Sequence, residues 1–301
     1  MTNKKNNSTG TAFRRTAGII SIAVLTLSGM LIITSCNSAD KNSSSEIETS
    51  YSTKVETVET TVTTTEAPLV LLPEAEEQLK INEHYAGWIK IDNVVDEPIV
   101  QTDNNDLYIN HRYKDKAEDE GGTIFADYRN VLNTSKQSDN VILYGHNQKN
   151  GTRFGKLDSY KWNKEYYKSR PLISFDTAYG KREYKIFAIF IVNVNPEHDN
   201  GNVFDYQNYI DLSDKERYNT FVDQCKKRSF IISGVDVEYG DKFLTLSTCS
   251  TEFDPSRLVI VGREVREGES NEVDMTNFKV NDNPLYPAIY YKFAGGSYRE
   301  D

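Results

Sequence analysis

From Leu69 onward the chain breaks into short β-branched and aromatic runs joined by long irregular connections, a texture that fits neither a helical bundle nor a doubly wound α/β fold. Gly87–Ile91 and Pro98–Gln101 read as strands around an Asp/Asn turn, and Thr123–Ala126 follows the Gly121-Gly122 pair. Asn140–Gly145 runs directly into His146. Tyr184–Val194 is the longest apolar strand signal, and Phe243–Leu246 and Leu258–Val261 flank Cys249 and Arg257. Many short strands with long connections predict a mainly β fold, a barrel or a sandwich. Two helices interrupt it. Pro73–Tyr85 carries acidic residues early, which suits the helix dipole. Ser213–Glu216 has the form of a capping box, and Tyr218, Phe221, Val222 and Cys225 follow at helical spacing, which makes Cys225 a core residue.

The hydrophobic fraction, 38%, is low for a globular chain, and much of the deficit lies near the N-terminus. Lys4, Lys5, Arg14 and Arg15 precede an uncharged apolar run from Ala17 to Thr34, so residues 1–36 read as an export signal or anchor that leaves the rest outside the cytoplasm. The run ends in Ile33-Thr34-Ser35-Cys36, which has the form of a lipobox and makes Cys36 a lipidation candidate. About 18 apolar residues also reach roughly 27 Å as a helix, enough for an uncleaved span. Both readings attach the chain to a membrane. Residues 37–68 are rich in Ser, Thr and Glu and read as a disordered tether, whose roughly 32 residues span about 30 Å as a random coil. A folded domain over 69–266 follows, then a tail over 267–301 that is acidic early and aromatic late; the sequence leaves its packing open.

The net charge of −10, with no basic stripe, argues against a nucleic-acid partner. Three cysteines without CxxC spacing and four scattered histidines predict no metal centre, no obligatory cofactor and no disulfide framework. Cys249 ends a strand among small hydroxyl residues, His146 ends another and Arg257 begins a third. A thiolate, an acid/base and a fixed cation could converge there at one rim. The plainer readings are a buried thiol, a turn histidine and a solvated arginine. Spacing alone does not choose between them.

The motifs add to this. Asn140–Asn147 (NVILYGHN), with Asn150-Gly151-Thr152 and Phe154-Gly155 behind it, resembles the histidine motif of class B sortases. Thr245–Cys249 and Arg257–Val261 resemble that family's cysteine and arginine motifs in the same order. Gly87–Ile91 and Gly122–Asn130 share its texture, so the resemblance spans about residues 75–265. It implies an eight-stranded β-barrel with an N-terminal helix and a long helix, here near 213–229, between the sixth and seventh strands. It also implies a cysteine transpeptidase on the outer face of a Gram-positive membrane. Such an enzyme cleaves a sorting signal of exported proteins and transfers them to a peptidoglycan-precursor amine, or to a pilin-type amine. Cys249 would then be the nucleophile, His146 the acid/base and Arg257 the anion stabiliser, with Ser247 and Thr248 as substrate contacts. The lipobox-like Cys36 departs from the family's usual uncleaved anchor. An extracellular cysteine peptidase competes, although papain-like families place Cys before His. So does a non-catalytic surface lipoprotein, in which Cys249 would be core.

Overall fold

A computed structural model of the chain describes residues 69–133, 136–199 and 203–295. The expected signal segment, Cys36 and the tether lie outside these residues. The helix α1 (Pro73–Ile81) leads into strands β1 (Tyr85–Ile91), β2 (Val95–Val100), β3 (Phe125–Ala126) and β4 (Asn140–Tyr144). Two short helices, α2 (Ser159–Trp162) and α3 (Lys164–Ser169), precede β5 (Leu172–Thr177) and β6 (Glu183–Asn193). Then come α4 (Lys215–Arg228), β7 (Ile231–Ile232), β8 (Phe243–Cys249), β9 (Ser256–Glu264), β10 (Lys279–Val280) and α5 (Ala288–Ala294). Strands β1, β2, β3, β4, β8, β9, β6 and β5 close, in that order, into a barrel. The eight-stranded barrel expected from the motifs is the fold, and α4 lies between its sixth and seventh strands in chain order.

Period-two alternation fills the barrel. Ile89, Ile173, Phe175, Ile189, Ile191, Leu244, Leu246, Leu258 and Ile260 form one buried cluster. The other face of the same strands, with Phe187, Phe190, Val192, Phe243, Val259 and Val261, is covered by Tyr218, Phe221, Val222 and Cys225 of α4. Because β6 is buried on both faces from Tyr184 onward, it reads as a continuous apolar run rather than an alternating one. Each of these large side chains contributes roughly 1.5–3 kcal/mol by leaving water.

Local chemistry moves several boundaries. The first helix stops at Ile81, not Tyr85, because the Asn82 amide donates to the Tyr108 hydroxyl (2.8 Å) and the Tyr113 carbonyl (2.7 Å) and pulls the chain into a turn. Asp214, not Ser213, caps α4: its carboxylate accepts from the Arg217 N–H at 2.8 Å, while the Ser213 hydroxyl donates to Asp211. Strand β5 is absent from the sequence reading. Only Ile173, Phe175 and Thr177 are buried in LISFDT, too few for a clear signal.

At the barrel end away from Cys249, Arg263 is fully buried. Its guanidinium donates to both oxygens of Glu269, which also takes Lys185 Nζ at 2.6 Å. Hydrogen bonds from Arg263 hold the Glu269 carboxyl far below the usual range, against a smaller opposing effect of burial. Glu269→Ala leaves the buried Arg263 with the backbone carbonyls of Glu264 and Asp236 and, as its remaining carboxylate, Asp236 at 3.3 Å. We expect a loss of about 2 kcal/mol, below the roughly 3–5 kcal/mol of a fully dry pair because Glu269 keeps some solvent. The unfolded chain takes up a proton at Glu269 first as pH falls. The stabilisation is therefore complete above the ordinary Glu pKa and is lost below it. Melting curves of parent and variant should differ at pH 7 and converge in acid; a constant difference down to pH 3 would contradict the assignment.

Candidate active site

Two pairings set the geometry. Strand β4 runs parallel to β8 with Tyr144 beside Ser247, and β8 runs antiparallel to β9 with Cys249 directly opposite Arg257. Beyond β4 the chain keeps company with β8: the Gly145 N–H donates to the Ser247 carbonyl (3.2 Å), and the Asn147 amide to the Cys249 carbonyl (3.0 Å). His146 is held between these two tethers. Cys249, His146 and Arg257 all line one cleft of about 360 Å³ at this rim, with Cys249 exposed and the other two half-buried.

His146 is oriented from the far side of the cleft. Its Nε2 lies 2.7 Å from the Ile109 carbonyl, which can only accept, so Nε2 carries the proton and Nδ1 is left for other work. The 107–109 turn is brought close by Gly122, which has φ +57°; a Cβ there would stand 2.3 Å from the Ile109 oxygen. Only glycine fits that approach.

Arg257 differs from most arginines of the domain. Arg129, Arg153, Arg182, Arg263 and Arg266 each hold a carboxylate. The Arg257 guanidinium donates to the Ser256 carbonyl at 3.0 Å and forms no ion pair among the described residues. Its charge is therefore not cancelled locally. The Ser250 N–H, the first backbone donor after the thiol, is already given to the Ser256 carbonyl at 3.1 Å.

Ser247 and Thr248 are both buried and both border the cleft. The Ser247 hydroxyl is 2.6 Å from that of Tyr206. Burial pushes the Tyr206 phenol up to about 12, with Ser247 and Arg257 opposing, so it stays neutral at physiological pH. Thr248 alternates to the opposite face of β8, and its hydroxyl has no partner among the described residues.

Sequence reasoning missed the cleft's charged wall. Asp127, fully buried, receives Arg129 through two bonds (2.9 and 2.8 Å) and the Tyr144 hydroxyl at 2.9 Å. Burial alone would raise the Asp127 carboxyl, but these donors hold it below its usual value. The available signal was the Asp-x-Arg spacing after β3. Equally invisible was Lys161 on α2, whose buried ammonium meets Glu252 (2.5 Å) and Asp158 (3.0 Å) and ties down the loop after Cys249. Burial raises the Glu252 carboxyl and the Lys161 and Ser250 bonds outweigh it, so Glu252 stays ionised.

A larger groove of about 720 Å³, containing Trp88 and Asp176, lies where β6 begins and β9 ends, and neither a Cys nor a His lines it. No group of three or more His, Cys, Asp and Glu among the described residues could hold a metal. The rim thus offers a thiol, a fixed imidazole and an unpaired cation, a set suited to acyl transfer. Cys225 is buried and unreactive by contrast, its thiol pushed well above its usual value by burial, with Arg228 opposing. Iodoacetamide should modify Cys249 in the native protein and Cys225 only after denaturation, read by peptide mapping. Protection of Cys249 would remove the thiol from contention.

The Sortase domain family model matches residues 90–265. Sortase B of Listeria monocytogenes is 32% identical over 189 residues, which cover 62% of this chain and 72% of that protein. A Staphylococcus aureus sortase B–substrate complex superposes with a TM-score of 0.57 at 29% identity, covering 65% of this chain and 86% of that one. A sortase B complexed with triglycine gives 0.57 at 30% identity, covering 64% and 86%.

Proposed function

The chain belongs to the sortase family of cysteine transpeptidases, and on that premise we propose that Cys249, His146 and Arg257 perform the reaction on C-terminal sorting signals of exported proteins. The observation that carries the assignment is the cross-strand pairing of Cys249 with an arginine that lacks a carboxylate partner among the described residues, beside a histidine of fixed tautomer.

The Cys249 sulfur, as thiolate, attacks the carbonyl of a threonine-like residue in the signal, and the carbonyl π pair moves to oxygen. Arg257 offsets the charge that develops there; with the Ser250 N–H engaged, more of this task falls on the guanidinium. Collapse of the tetrahedral species breaks the C–N bond. His146, the imidazolium formed when Nδ1 took the Cys249 thiol proton, donates that Nδ1 proton to the departing amine and leaves a thioester on Cys249. An incoming amine attacks the thioester and gives a proton back to Nδ1, and the sulfur departs as the new amide forms. Ser247 and Thr248 border the path of the bound signal. The acceptor is the amine of a peptidoglycan precursor, or of a pilin-type protein. The relatives solved with a substrate and with triglycine support a peptide donor and an amine acceptor.

The basic and apolar N-terminus supports a place on the outer face of the cytoplasmic membrane, held by lipid on Cys36 or by an uncleaved helix. Among the described residues no helix is long and apolar enough to cross a membrane.

A peptide library incubated with and without triglycine tests the reading. Transfer product should appear only with the amine, from a restricted set of signals. Cys249→Ala and His146→Ala should abolish both cleavage and transfer. Arg257→Ala should lower kcat by about 100-fold, the usual loss for one oxyanion donor, with little change in KM. Cys225→Ser should remain active. Turnover by the Cys249→Ala protein would sink the mechanism.

A further inference from the structure

The family match stops at residue 265, yet the described chain continues to Gly295 and is fastened along the barrel at successive points. Glu269 grips Arg263 and Lys185 near the end of β9 and the start of β6. Phe278 stacks on Tyr167 at 5.2 Å, and β10 pairs with β7. Asn281 takes its place through the Phe230 carbonyl (2.9 Å) and the Ser229 carbonyl (2.7 Å), and the Leu285 N–H donates to the Lys227 carbonyl at 2.9 Å. Tyr286 then stacks on Tyr290 and meets Phe230 at a tilt. Both tyrosines pack against the buried cluster that includes Phe253, in the loop that follows Cys249. Ile289 is buried in the same cluster as Phe253 of that loop.

The last fastening leads to the reacting pair. The Ile289 N–H donates to Asp199 Oδ1 at 3.0 Å, and the Asn193 amide donates to Asp199 Oδ2 at 2.7 Å. Asp199 is 4% exposed, so its carboxylate depends on these donors. Asn193 is the final residue of β6 and lies opposite Ser256, while Val192 lies opposite Arg257. Arg257 is only the second residue of β9, at the end of the ladder where strands fray unless something holds them.

We propose that the segment from Glu267 to Ala294 is a clamp that holds Arg257 beside Cys249, acting through Asp199 and Asn193. Asp199 is then a positioning residue and touches no substrate. The inference rests on the reading of Cys249 and Arg257 as partners in the reaction, and one measurement separates the two. An arginine beside the thiolate accelerates alkylation by anionic iodoacetate relative to neutral iodoacetamide. The ratio of the two rates at Cys249 therefore reports where the guanidinium sits, with no need of a known sorting signal.

In the full chain, Arg257→Ala sets the floor of that ratio. Asp199→Ala should lower it about threefold or more toward the floor, as expected when a unit charge moves away from the thiol. The iodoacetamide rate should change little. If Asp199→Ala does not fold, Asp199→Asn, which keeps the shape and removes the charge, is read in the same way. An unchanged ratio in the Asp199 variant, with the Arg257→Ala effect intact, overturns the clamp alone. If Arg257→Ala itself leaves the ratio unchanged, the guanidinium is not beside the thiol, and the catalytic assignment falls with the clamp.

Discussion

The pairing of β8 with β4 on one side and β9 on the other is the constraint from which the functional rim follows. Backbone hydrogen bonds set register, and a slip of one residue would turn Cys249 and Ser247 to the opposite face. That slip is blocked by burial on both faces: Leu244 and Leu246 fill the barrel, and Phe243 packs under α4. The thiol owes its position to hydrophobic residues earlier in its own strand. Cys249 is the one exposed residue of β8, at the point where the core ends and chemistry can begin.

Much of this was legible in the chain. The runs that became β4, β6, β8 and β9 are dense in β-branched and aromatic residues, and three of them carry His146, Cys249 and Arg257 at their ends. The α4 stripe was equally plain because four apolar residues at helical spacing stand among charges. Less was visible where a few polar contacts decide the outcome. Strand β5 buries only alternate residues, and β3 is two residues long, fixed by pairing with its neighbours rather than by its own composition. The side chains of Arg129, Tyr206 and Lys161 meet groups far away in sequence, and no local pattern announces such partners. The Ile109 carbonyl is harder still, since a backbone acceptor has no side-chain signature; Gly122 was its only trace.

The tail shows the same division. Its composition, acidic early and aromatic late, describes two kinds of fastening without revealing their targets. Glu269 has value because Arg263 is buried, and Arg263 is tolerated there because Glu269 arrives from the tail. Neither residue explains the other until both are placed. Tyr286, stacked on Tyr290, likewise finds Phe230, which stacks on Trp162 of α2, the neighbour of Lys161. The tail therefore meets the same supports that hold the loop after Cys249.

The two ends of the barrel differ in how they treat charge, and that difference bears more on function than cavity size does. The larger groove, around Trp88 and Arg182, is bordered by cations already matched, Arg182 with Glu264, Lys181 with Glu74 and Lys90 with Asp96. A matched pair loses interaction if a reacting group draws one partner away, so such a surface resists doing chemistry. At the smaller cleft Asp127 and Arg129 are matched with each other, but Arg257 is held by a carbonyl dipole and forms no ion pair among the described residues. A dipole fixes the guanidinium without neutralising it. In the proposed mechanism, a negative charge that appears on a substrate oxygen meets that guanidinium. Stabilisation rises as that charge develops, and it is greatest in the transition state. On the proposed reading, an arginine with no ion pair among the described residues, more than the volume around it, makes this rim the working end of the barrel.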